Sequence, residues 1–276
     1  MNTFHTAFIG GGNMARSLLG GLLADGCDPN TFWVADPSES QRDLVHRHAK
    51  VHVTADNCEA ASHASVVVLA VKPQTVRSVA EQLAPIVRNL NPLIVSIAAG
   101  VRIPDLSRWL GGHVSLVRAM PNTPALVRSG ASALFANAAT SAAQRQMAES
   151  ILRAVGLTVW VDEEALMDSV TALSGSGPAY FFLVMEALEK AGISLGLNPT
   201  QARLLTLQTA FGATKMALES AEDVATLRAR VTSPGGTTER AIAELQAGEL
   251  ETLFGKALSA AHQRARELGD WLGGTA

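Results

Sequence analysis

The chain has 276 residues, of which 47% are hydrophobic but only 5% aromatic, so two domains with an interior of Ala, Leu and Val are expected. Its formal net charge is −3 and no Lys/Arg block exceeds two residues, a distribution that argues against a nucleic-acid partner. Cys27 and Cys58 are the two cysteines, too few and too far apart for a disulfide framework or a metal knuckle, and no metal site is expected. The opening Met1-Asn2-Thr3-Phe4-His5 has no basic segment ahead of an apolar run. A soluble, cytoplasmic protein with no membrane partner is therefore the expectation.

In chain order, residues 4–9 form an apolar-rich strand that runs into Gly10-Gly11-Gly12. Met14, Leu18, Leu19, Leu22 and Leu23 then mark one face of a helix over 13–24. Apolar runs at 32–35, 66–71, 93–97 and 114–119 predict further strands, separated by helical stretches such as 39–48 and 74–87. This alternation predicts an α/β fold, a Rossmann-like doubly wound and mostly parallel sheet with helices on both faces. After Trp160 the pattern is helical, over 163–173, 178–191, 199–219, 222–230, 237–246 and 250–272. The boundary falls near residue 161, giving a dinucleotide-binding domain over 1–161 and an all-helical dimerisation and substrate-binding domain over 162–276. Leu204, Leu205, Leu207, Phe211 and Met216 crowd one helix, more apolar surface than a small helical domain can cover alone. A dimer interface is the natural outlet.

The first glycine loop reads Gly-x-Gly-x-x-Ala, from Gly10 through Gly12 to Ala15. Gly10 permits a tight turn and Gly12 lets a pyrophosphate approach the backbone, in the strand–loop–helix context that this fingerprint requires. Asp36 ends the second predicted strand, where a carboxylate hydrogen-bonds a ribose 2′-OH and opposes a 2′-phosphate. Asp36-Pro37-Ser38 also reads as a plain turn ending in a helix cap. Ala70-Val71-Lys72-Pro73 and Ile97-Ala98-Ala99-Gly100 end two more strands and are expected to line the cofactor crevice. Met120-Pro121-Asn122-Thr123-Pro124 predicts a rigid loop with exposed polar groups. In the second half, Ser174-Gly175-Ser176-Gly177-Pro178-Ala179-Tyr180 and Thr232-Ser233-Pro234-Gly235-Gly236-Thr237-Thr238 read as small-residue loops. Their open amides suit a small carboxylate, which makes Ser174 and Ser176 candidate substrate ligands. No catalytic triad is apparent, Glu163 and Glu164 read as helix-capping charge, and the chemistry is expected to come from a cofactor.

On these segments, from Ile9-Gly10-Gly11-Gly12-Asn13-Met14 to Ser233-Pro234-Gly235-Gly236-Thr237-Thr238, the chain resembles the pyrroline-5-carboxylate reductases from about residue 4 to 268. The resemblance implies reduction of 1-pyrroline-5-carboxylate to L-proline, the final step of proline biosynthesis, with NADPH, and Asp36 implies that NADH is accepted as well. It assigns Ile9, Gly10, Gly11, Gly12, Asn13, Met14, Asn57, Ala70, Val71, Lys72, Pro73, Ile97, Ala98 and Ala99 to the cofactor. It assigns Ser233, Gly235, Gly236, Thr237 and Thr238 to the substrate, with the amides of Gly236 and Thr237 on its carboxylate and the Thr238 hydroxyl on its ring nitrogen. It further implies an interleaved homodimer, and a decamer built from such dimers. Two alternatives stand beside it. A β-hydroxyacid dehydrogenase needs a lysine base, for which residues 178–191 offer only Lys190. A non-catalytic NADP(H)-sensing protein would have degenerate substrate loops.

Overall fold

The computed structural model describes residues 4–274. Its first half alternates strands and helices: β1 (Thr6–Ile9), α1 (Asn13–Ala24), β2 (Phe32–Ala35), α2 (Glu39–His48), β3 (His52–Thr54), α3 (Asn57–Ser62), β4 (Val66–Leu69), α4 (Pro73–Leu90), β5 (Leu93–Ser96), α5 (Ile103–Trp109) and β6 (Leu116–Met120). Then come β7 (Gly130–Ala136), α6 (Ala142–Arg153) and β8 (Gly156–Trp160). Among the described residues the strands form one sheet in the order β3-β2-β1-β4-β5-β6-β7-β8. Strands β1 to β6 are parallel, β7 runs antiparallel to β6, and β8 is parallel to β7.

The central strands are buried on both faces, as parallel strands under helices must be. Phe8, Val66 and Val68 join one apolar cluster with Leu18, Leu22, Ile151 and Leu152. Their neighbours Ala7, Ile9, Val67 and Leu69 join the other, with Leu83, Val87, Leu106 and Trp109. Each strand thus alternates between two helical layers. Helix α1 comes so close to the end of α6 that a Cβ on Gly21 would lie 2.5 Å from the Ala154 carbonyl oxygen. Three strands carried too little pattern to be read: β3 has only three residues, β7 is rich in Ala, and β8 alternates without a long apolar run.

Beyond β8 come α7 (Leu166–Val170), a π-helical turn (Thr171–Gly175), α8 (Gly177–Ser194), α9 (Pro199–Glu219), α10 (Val224–Arg230), α11 (Thr237–Ala247) and α12 (Leu250–Gly274). Asn198 and Gln201 close a capping box at the start of α9, with Pro199 as its first residue. Two compact units result, one running to Ser176 and including the chain from Ala261 onward, the other spanning Gly177–Ala260. The division therefore falls later than the boundary expected at 161. The physical reason is α7, whose Met167 and Asp168 are buried and whose Asp168 pairs with Arg118 of the sheet. The segment 174–180 is not an open loop either. It continues the π turn into α8, and the Ser176 amide donates to the Thr171 carbonyl at 2.9 Å.

In the second unit, α8 and α9 leave large side chains uncovered on a single chain. Phe181, Phe182, Leu183, Leu204, Leu205 and Phe211 are all exposed. Among the described residues no helix is long and apolar enough to cross a membrane.

Candidate functional site

The parallel order places the carboxyl ends of β2, β1, β4 and β5 side by side, the edge at which doubly wound sheets bind ligands. The connections are direct. The Gly10 amide donates to the Ala35 carbonyl at 2.7 Å, Ala70 to Ile9 at 2.8 Å, and Ile97 to Leu69 at 3.2 Å. Ile9 to Met14, Asp36, Ala70 to Pro73 and Ile97 to Ala99 thus share one edge. Asn57 opens α3 nearby in the chain, with its side-chain amide on Gln82 at 2.9 Å. Lys72 is exposed and precedes Pro73, the first residue of α4. Next to Asn57, burial and then the charge of Asp56 push the Cys58 thiol up from its ordinary range, so this cysteine stays a neutral thiol.

The loop between β1 and α1 fits a dinucleotide. Gly10 has φ +102°, and a Cβ there would lie 2.6 Å from the Ala70 carbonyl oxygen, so only glycine makes this turn without strain. Gly12 caps α1 without a side chain on the cap, and nothing lies within 4 Å of the place its Cβ would occupy. Helix amides are left facing open space, the arrangement that a phosphate takes up.

Asp36 makes the turn read from sequence and adds a tether to the glycine loop. Its Oδ1 accepts the Ser38 amide at 2.9 Å, which makes the turn, and its Oδ2 accepts the Gly11 amide at 2.8 Å, which ties β2 to the glycine loop. Arg42 donates to the carbonyls of Asp36 and Pro37 at 2.8 and 3.0 Å. Arg16 bridges the Gly11 carbonyl and Gln41.

In the second unit, Ser233 to Gly236 form a turn before α11. The Gly236 amide donates to the Ser233 carbonyl at 3.0 Å, and the Gly235 amide to Glu239 at 2.7 Å. The amide expected from Gly236 is therefore already used within the turn. Thr237 and Thr238 are the first residues of α11, where a helix has no intrahelical acceptor for its N–H groups. Ser233, Gly235 and Thr237 are exposed, and Thr238 is half-buried. Ser174 turns its hydroxyl back to the Val170 carbonyl at 3.1 Å.

Several polar roles had no signal in the sequence. Arg118 lies within an apolar strand and is only 4% exposed. It pairs with Glu164 at 3.2 Å and Asp168 at 3.7 Å, and Glu164 also accepts the Ile103 amide at 2.7 Å. Glu164 thus binds Arg118 of the sheet and the first amide of α5, rather than capping the helix that follows it. Asn122, expected in an exposed loop, is 9% exposed. It donates to the Ser174 carbonyl at 3.0 Å and accepts the Ala131 amide at 2.9 Å. Of the histidines, His52 and His63 both stack on Trp33, with ring centroids at 4.5 and 4.3 Å. Among the described residues no group of His, Cys, Asp and Glu could hold a metal ion. Lys190 pairs with Glu186 in the same helix.

Comparison with known proteins bears on both halves. Residues 164–268 match the family model described as pyrroline-5-carboxylate reductase dimerisation, and residues 5–100 match that described as NADP oxidoreductase, coenzyme F420-dependent. The pyrroline-5-carboxylate reductase of Pseudomonas aeruginosa is 52% identical over 99% of this chain and 100% of its own length. A solved pyrroline-5-carboxylate reductase from Coxiella burnetii superposes with a TM-score of 0.94 at 51% identity, over 97% of this chain and 99% of that one. The pyrroline carboxylate reductase of Plasmodium falciparum, solved with NADP bound, has a TM-score of 0.85 at 28% identity, over 98% and 99% of the two chains. With a relative this similar over its whole length, the chain belongs to the pyrroline-5-carboxylate reductase family.

Proposed function

We propose that this protein reduces 1-pyrroline-5-carboxylate to L-proline, the last step of proline biosynthesis, with NADPH as the reductant and NADH as a usable substitute. The observation that carries the reading is the glycine cradle at the start of α1, open at Gly12 and closed by necessity at Gly10, in a chain of this family.

When bound, the reduced nicotinamide supplies a hydride. The remaining work belongs to the chain. Amides of Gly12 to Met14 at the start of α1 hold the pyrophosphate. Asn57, Ala70 to Pro73 and Ile97 to Ala99 line the same edge, and their small residues leave room for a ring. The Ser233–Thr238 segment holds the substrate, with the first-turn amides of α11 on its carboxylate. The Thr238 hydroxyl bonds the ring nitrogen, and Ser174 and Ser176 complete the substrate side. A protonated cyclic imine is already a strong hydride acceptor, so the protein needs orientation more than a strong acid. The imine carbon takes the hydride, the nitrogen keeps its proton, and the product is the secondary amine.

The second unit makes a homodimer through the apolar faces of α8 and α9, and a decamer would be a further assembly of such dimers. A cytoplasmic location belongs to the same proposal. The decisive assay follows NADPH absorbance with pyrroline-5-carboxylate, compared with 3-hydroxy acids plus NADP. Loss of absorbance with the imine supports the reading. Turnover of the hydroxy acids alone would replace it with a β-hydroxyacid dehydrogenase.

A further inference from the structure

The chain leaves α7 through a π-helical turn, Thr171–Gly175. Such turns are rare, cluster at functional sites, and persist only where the surroundings over-determine them. Here the surroundings come from the end of β6. The Asn122 side-chain amide donates to the Ser174 carbonyl at 3.0 Å. Its oxygen accepts the Ala131 amide at 2.9 Å. With a carbonyl on one side and an N–H on the other, the amide has one permitted orientation. Below it, Gly175 has no Cβ, and one built there would lie 2.6 Å from the Met120 Cε. Thr171 and Ser174 add back-bonds to Met167 and Val170 at 2.8 and 3.1 Å, which bend a helix further.

We propose that Asn122 is a positioning residue of the reductase. At 9% exposure it is not offered to a ligand, and it acts through the π turn that sets Ser174 and Ser176. The proposal rests on the reading that these two serines face the substrate. The pairing needs Asn in particular. Asp keeps the shape and the acceptor for Ala131 but sets an oxygen against the Ser174 carbonyl, and Ala removes both bonds.

The test compares Asn122→Asp with Ser174→Ala and Ser176→Ala in the full-length protein. Steady-state constants are measured for each substrate, and NADPH affinity is measured separately by fluorescence titration. For Asn122→Asp, kcat/KM for pyrroline-5-carboxylate is expected to fall about 5- to 100-fold, the range for a buried acceptor left unmatched. The loss is expected mainly in KM, with NADPH affinity unchanged. If the aspartate variant does not fold, Asn122→Ser, which keeps a short donor, carries the same comparison. Loss of thermal stability with unchanged kinetic constants, while a serine variant loses affinity, would mean that Asn122 only braces the fold and would overturn the proposal. If both serine variants are also silent, the substrate reading of the turn falls, and the proposal with it.

Discussion

The Asp36 carboxylate, just past β2, accepts the Gly11 amide at 2.8 Å, so the residue proposed to oppose a 2′-phosphate also fastens the glycine loop. Charge and tether can be separated. Asp36→Ser removes both, and Asp36→Asn removes the charge but keeps an acceptor for Gly11. A carboxylate–phosphate repulsion at a half-exposed site is worth about 1–2 kcal/mol, or about 5- to 30-fold. Both variants are expected to shift the ratio of kcat/KM values toward NADPH by about that factor, with Asn keeping the better NADH activity. An unchanged ratio in both would leave Asp36 with the tether alone.

Gly10 is held at φ +102° beside the Ala70 carbonyl. Gly10→Ala is expected to cost about 1–3 kcal/mol, as residues forced into sparsely populated backbone do. NADPH binding should weaken with it, and denaturant melts with and without NADPH measure both effects. A variant as stable as the parent would show that the loop relaxes freely.

Thr238 opens α11 and is half-buried. Thr238→Ala is expected to lower turnover by about 10- to 1000-fold, the span for one aligned hydrogen-bond partner, with little change in NADPH affinity. Near-normal turnover would remove the hydroxyl from the mechanism.

Arg118 holds Glu164 and Asp168 inside the first unit. Arg118→Met strands two carboxylates and is expected to cost about 3–5 kcal/mol. Equilibrium unfolding reads this directly. A loss below about 1 kcal/mol would mean that water reaches the pair.

Phe211 is 63% exposed on α9 of a single chain, within the region that matches the dimerisation model. Phe211→Glu is expected to weaken self-association by about 2 kcal/mol or more, as loss of an interface anchor does. Sedimentation should show a shift toward monomer across micromolar concentrations. An unaltered dimer would place Phe211 outside the interface.

Local chemistry alone determined a large part of this protein. The strand, glycine loop and helix at residues 6–24, the capped start of α9 at Asn198, and the turn before α11 each follow from residues close in sequence. An Asn cap works within one turn of chain and needs no distant partner, and the glycines mark their loop by composition although Asp36 and Ala70 complete it. Family membership was equally legible, because the segments that carry it are short and ordered. The tertiary structure decided what depends on partners far along the chain. Arg118 looks like a flaw in an apolar strand until Glu164 and Asp168 arrive from beyond β8. Asn122 looks like part of an exposed loop until Ser174 and Ala131 take its two ends. Residues 174–180 look like an open loop because Ser and Gly favour loops, yet packing against Met120 and the bond from Asn122 hold them helical. A buried polar group is stable only when its partner is in place, and no local pattern names that partner.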